Sequence, residues 1–148
     1  MARESAFEVI RLPSVSEIEA ATELLSTPDT STKVVRMRDF AVKMGHGVPL
    51  IEAENMKFLA ENSKVPVPKV HAAFKDPANN KTYIIMEYLP GDTLEKLLPS
   101  LNSAEKATIS NLIKAAITEL RSIPPPDYLG MLNRQPYPIW TGYSGPKI

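Results

Sequence analysis

The stretch Tyr83-Ile84-Ile85-Met86-Glu87-Tyr88-Leu89-Pro90-Gly91 decides how the chain is read. Its first half is an unbroken run of β-branched, aromatic and other apolar residues, the pattern of a strand covered on both faces. Its second half ends at a Pro-Gly pair, which forces a turn. Past that turn, Asp92 or Thr93 can cap a short helix over residues 94–98. Residues 86–91 therefore read as a hinge, with a small sheet and one or two helices before it and helices followed by irregular chain after it.

Upstream of the hinge strand, residues 75–81 are a turn of Asp, Pro and Asn, and residues 70–74 form the strand that pairs across it. Val65-Pro66-Val67-Pro68 must be extended, because each proline fixes its own φ and moves its predecessor out of the helical region. Pro49 suits the first turn of a helix running to about Asn62. On that helix Glu52 falls between Met56 and Leu59, whereas Glu54, Lys57 and Glu61 lie opposite. Before it, residues 33–37 and 40–44 form a hairpin across Arg38-Asp39, ended by Gly45-His46-Gly47. Ser14-Val15-Ser16-Glu17 has the form of a capping box, and Val15, Ile18, Ala21 and Leu25 keep helical spacing, so a helix is expected over residues 15–26. A polar loop, residues 26–32, follows.

Downstream, Asn102 and Glu105 can cap the longest periodic segment. Ile109, Leu112, Ile113, Ala116, Ile117, Leu120 and Ile123 keep one apolar stripe, which needs a partner surface, until Pro124-Pro125-Pro126 ends it. Residues 127–148 show no period.

At 43% hydrophobic and 23% charged residues, the composition is that of a soluble globular chain. Seventeen basic and seventeen acidic residues leave no excess charge for nucleic acid or an anionic membrane, so neither is expected as a partner. Without cysteine there is no disulfide framework and no thiolate metal site, and His46 and His71 lack ligand spacing, so no metal site is expected in this chain. The first residues show no signal peptide and no apolar run spans a bilayer, which gives a cytoplasmic address as the expectation.

Two residues acquire meaning together. In Ala41-Val42-Lys43, Ala41 and Lys43 share a strand face opposite Phe40, Val42 and Met44. Lys43 alone reads as a solvated strand lysine, and Glu52 alone as a helix residue snorkelling from its stripe. A carboxylate on an apolar face is costly unless compensated, and a lysine presented inward by the preceding strand is the nearest compensating charge. Such a pair fixes a lysine that must reach phosphate oxygens. The hinge segment adds backbone N–H and C=O groups that can read a base.

The same residues carry a family resemblance. Ala41-Val42-Lys43, Glu52-Ala53, Val65-Pro66-Val67-Pro68-Lys69-Val70, residues 83–94 and Glu119-Leu120-Arg121-Ser122-Ile123-Pro124 resemble the aminoglycoside phosphotransferase-like kinases of fungal type, over residues 33–126. The resemblance implies an α+β fold: a protein-kinase-like small lobe, a twisted antiparallel sheet plus helix, followed by a truncated helical start of the large lobe. It divides the chain into residues 1–32, a helix and loop; 33–91, the small lobe; and 92–148, a partial large lobe. It implies transfer of the ATP γ-phosphate to the hydroxyl of a small-molecule acceptor. Lys43 would contact phosphates, Glu52 would hold it, and the backbone of Glu87 and Leu89 would read adenine beneath Ala41 and Met86.

The sequence departs from the family in three respects. The His-Gly-Asp catalytic loop is missing, since the two histidines precede Gly47-Val48 and Ala72-Ala73, and no later Asp is placed to hold magnesium. Magnesium would thus be used only with the missing lobe. The loop before Lys33 has no glycine, although Thr30, Ser31 and Thr32 offer hydroxyls. A truncated kinase, a catalytically dead nucleotide- or partner-binding module, and a globular domain without a nucleotide site are the three readings.

Overall fold

The computed structural model describes residues 10–28 and 31–136. The leader-free reading of residues 1–9, the hydroxyl of Thr30 and the irregular tail beyond residue 136 lie outside the described residues.

Four strands, β1 Lys33–Met37, β2 Phe40–Gly45, β3 Val70–Lys75 and β4 Thr82–Glu87, make one antiparallel sheet in the order β1-β2-β4-β3. Two hairpins set side by side produce that order. The first turns at Arg38, whose φ is 55°, and the second at Asn80, whose φ is 61°. Within the second turn the carboxylate of Asp76 accepts the Ala78 N–H and the amide oxygen of Asn79 accepts the Lys81 N–H. These Asx contacts suit a left-handed residue in the loop.

The expectation for the hinge strand holds. Thr82, Tyr83, Ile84 and Ile85 are all buried, with Tyr83 and Ile84 fully so. Successive side chains enter different cores. Tyr83 and Ile85 pack with Ile18, Val35, Phe40, Val42 and Met44, whereas Ile84 packs with Val48 and Ala53. Helix α1, Val15–Glu19, covers the first core through Ile18, and α2, Ile51–Asn62, covers the second through Ala53.

The N-terminal helix is shorter than expected. It has the capping box of Ser14 and Glu17 but ends at Glu19 instead of continuing to residue 26. The physical reason is the open edge of β1. Leu25 donates its N–H to the Val34 carbonyl at 2.8 Å, Arg36 donates to the Glu23 carbonyl at 2.9 Å, and Leu24 bridges Val35. Unpaired edge groups recruit residues 23–26, and a segment bound there cannot also be helical.

After the hinge come α3, Leu94–Leu97, capped by the Thr93 hydroxyl, and α4, Ser103–Ser122. The predicted Asn102–Glu105 capping box is present, and the Lys106 N–H closes the first turn on the Asn102 carbonyl. No residue of α4 is buried, and Leu112 of its stripe is 66% exposed.

One polar contact fastens α1 to β4. The Tyr83 hydroxyl donates to Glu19 Oε1 at 2.5 Å and accepts from Asn79 Nδ2 at 2.8 Å, while Lys81 Nζ reaches the same Glu19 oxygen at 2.8 Å. Burial, then the bond to the Glu19 carboxylate, pushes the Tyr83 phenol up to about 12. The hydrogen bonds from Lys81 and Tyr83 hold the Glu19 carboxyl below its usual range. A raised phenol stabilises the fold fully below pH ~10 and loses that contribution as pH climbs towards its folded value. Tyr83 is therefore expected to ionise late, near pH 12, in a titration of phenolate absorbance, and Tyr83→Phe removes that late component.

Candidate functional site

The face of the sheet turned to α2 carries the site. Pairing sets β2 against β4 with Lys43 opposite Ile84 and Ala41 opposite Met86, so these four residues share one face. Helix α2 crosses that face after the Gly45-His46-Gly47 turn. Gly45 is needed there, because a Cβ at this position would come within 2.8 Å of the Ser31 carbonyl oxygen.

The Lys43 ammonium meets both carboxylate oxygens of Glu52, at 2.6 and 2.8 Å. This is the pair expected from the alternation of the strand and the period of the helix. Glu54, by contrast, points outward to Lys57 at 3.3 Å. The side chains of Lys43 and Glu52 are 26% and 34% exposed, so the pair sits at the mouth of the site and not in the core. Lys43 shares its sheet face with Ala41 and Met86. Ala41 is buried and Met86 half-buried.

The hinge backbone is only partly committed. Glu87 donates its N–H to the Lys69 carbonyl at 2.9 Å, and Tyr88 donates to the Asp39 carbonyl at 3.1 Å. Leu89 is 57% exposed and its backbone makes no hydrogen bond among the described residues. The Pro90-Gly91 turn then leaves the sheet, with Gly91 at φ 140°, a region that glycine tolerates and side chains rarely adopt. Arg36 stacks its guanidinium on the Tyr88 ring at 4.1 Å, fixing the outer side of the hinge.

Sequence reasoning used only the backbone of Glu87. Its side chain also acts, since Oε2 accepts the Lys69 N–H at 3.2 Å. No residue pattern marks this contact, because the partner is a main-chain donor just after Pro68. The two histidines do not join the site: His46 is exposed and His71 packs edge-on against Phe40 at 5.2 Å. Among the described residues no group of three or more His, Asp or Glu could hold a metal ion.

An antiparallel sheet with a lysine clasped by a crossing helix, its last strand running into a hinge, is the small-lobe architecture of protein-kinase-like phosphotransferases. Comparison with family models agrees: residues 23–141 match the phosphotransferase enzyme family, and the chain belongs to it. Neither the comparison with curated proteins nor that with solved structures returns a match. Among the described residues no helix is long and apolar enough to cross a membrane.

Because the Lys43–Glu52 pair is part-exposed, its contribution is modest. Glu52→Gln is expected to cost about 1 kcal/mol in urea denaturation at low salt, and less at about 1 M salt. Glu54→Gln, which alters a more exposed pair, is expected to stay within about 0.5 kcal/mol of the parent.

Proposed function

We propose that this chain binds ATP on the α2-facing side of its sheet, as the nucleotide-binding part of an enzyme that transfers the γ-phosphate to a hydroxyl of a small molecule. The observation that carries this reading is the two-pronged Lys43–Glu52 clasp on the same sheet face as Ala41 and Met86, beside a hinge with uncommitted backbone. Lys43 would neutralise phosphate charge, and Glu52 would hold its ammonium in place. Ala41 and Met86 would cover the base from above. At the hinge, the Glu87 N–H is already committed to Lys69, which leaves base reading to the Glu87 carbonyl and to the Leu89 backbone. Residues 33–91 form the nucleotide-binding lobe on this reading, and residues 92–148 begin the lobe that would receive the acceptor.

In the transfer itself, the acceptor oxygen bonds to the γ-phosphorus, the bond to the β,γ-bridging oxygen breaks, and ADP leaves. The acceptor proton needs a base. Asp127, the last aspartate of the sequence, is held through both oxygens by Arg134 at 3.0 and 3.1 Å. Neither His46 nor His71 is followed by Gly-Asp. Among the described residues no group of three or more His, Asp or Glu could hold a metal ion. These features favour a second reading for the 148 residues taken alone: they bind nucleotide without turnover, as a binding module or as one part of a larger catalytic unit.

Calorimetric titration tests the binding step. ATP is expected to bind the parent, and Lys43→Ala to weaken ATP by about tenfold or more while leaving adenosine nearly unchanged, because only the phosphates meet the lysine. Labelled γ-phosphate is not expected to reach any small hydroxylated acceptor with the chain alone. A parent chain that binds neither ATP nor adenosine would sink this assignment.

A further inference from the structure

Helix α2 carries Glu52 but is weakly held along most of its length. It buries only Ala53 outright, and no side chain caps its N-terminus at Leu50. Its C-terminus is another matter. Ser63 donates N–H and hydroxyl to the Leu59 carbonyl at 3.0 and 2.7 Å, and its hydroxyl oxygen accepts the Val65 N–H at 3.2 Å. Between them, the Lys64 N–H donates to the Glu119 carboxylate of α4 at 3.0 Å, across 55 residues of sequence.

The chain then runs through Val65-Pro66-Val67-Pro68, two of whose residues have a fixed φ and no N–H to lend. At the far end of this strut, Lys69 is bound twice to Glu87, through its carbonyl at 2.9 Å and its N–H at 3.2 Å. One stiff segment is thus pinned by a glutamate at each end, Glu119 from α4 and Glu87 from the hinge strand. Beside the first pin, Phe58 and Leu59 of α2 line an apolar groove with Leu120, Ile123, Tyr128 and Leu132.

We infer that Glu119 is a positioning residue for Lys43: by pinning the C-terminus of α2 to α4, it sets the tilt of the helix that brings Glu52 to the lysine. The buried contact of Ala53 lies beside Glu52 and the pinned end about 16 Å away, so a helix released there turns about Ala53. With the Glu52 carboxylate roughly 6 Å from that pivot, a turn of about 15° moves it by about 1.5 Å. Such a shift separates ion-pair contacts of 2.6 and 2.8 Å. At this solvent-exposed position the bond is modest in strength but directional, and it fixes where the end of α2 lies.

The inference rests on the ATP reading only for its functional consequence, so two measurements separate them. The first needs no nucleotide. In the full chain, the coupling between Lys43 and Glu52 is measured by a denaturation double-mutant cycle with K43M and E52Q, in the parent and in an E119A background. The coupling is expected to fall to less than half in E119A and to persist in E119Q, whose amide oxygen can still accept the Lys64 N–H. K64P removes the donor instead of the acceptor and is expected to reproduce E119A, with the double variant no worse than either. It serves in place of E119A if circular dichroism shows that variant unfolded.

The second measurement is titration with ATP and with adenosine, without added metal. E119A is expected to weaken ATP about fivefold to tenfold and adenosine less than twofold, with E119Q close to the parent. Unchanged Lys43–Glu52 coupling in both E119A and K64P overturns the positioning role, whatever ATP does. Intact coupling effects in a chain that binds no ATP overturn the nucleotide assignment and leave the positioning role standing. Equal losses in E119A and E119Q also count against it, since they would reflect the charge and not the bond.

Discussion

Everything in the lobe follows from having to bury β4 on both faces at once. Tyr83 and Ile85 point one way and Ile84 the other, and each is at most 1% exposed. Burying such side chains is worth about 1.5–3 kcal/mol apiece, so exposing either face would be expensive on the scale of a domain's stability. Both edges of β4 must therefore be paired, by β2 and β3, and both faces covered, by α1 on one side and α2 on the other. The register with β2 then leaves no freedom. With Val42 opposite Ile85 in the first core, Ala41 and Lys43 are turned to the α2 side. Lys43 faces the helix because the hydrophobic alternation of its own strand has no other solution.

Much of this was legible in the residues because it depends on short periods. The two hairpins, the capping boxes at Ser14 and Asn102 and the inward position of Glu52 are all local patterns of two, three or four residues. What was not legible depends on partners far along the chain. Ala21 and Leu25 keep helical spacing with Ile18, yet the Leu25 N–H goes to Val34, since the edge of β1 had backbone groups to satisfy and the local period could not show that. The carboxylates of Glu87 and Glu119 were invisible for a related reason. Each accepts a main-chain N–H flanking the proline strut, and a backbone donor has no residue type by which to be found.

The site separates two kinds of stability. The sheet side is closed: its polar groups pair within it, and among the described residues no buried side-chain nitrogen or oxygen lacks a partner. The α4 side is open. Its capping box and the back-bonds of Thr108 and Thr118 to carbonyls one turn earlier satisfy the helix locally, but its apolar stripe stays exposed, with Ile113, Ile117 and Leu120 each more than 40% accessible. Helix α4 therefore draws its order from its own backbone and caps more than from packing.

Among the described residues these halves meet at the hinge, residues 86–91, and at the Lys64–Glu119 bond with its adjoining groove, where α2 also reaches Leu132. Lys43 and Glu52 both lie on the sheet side, so their geometry depends on how α2 lies across the strands. The hinge enters that geometry only through β4, whereas the Glu119 carboxylate touches the chain at the end of α2 itself. The two contacts therefore bear on different elements: one on the strand beneath the ion pair, the other on the helix above it.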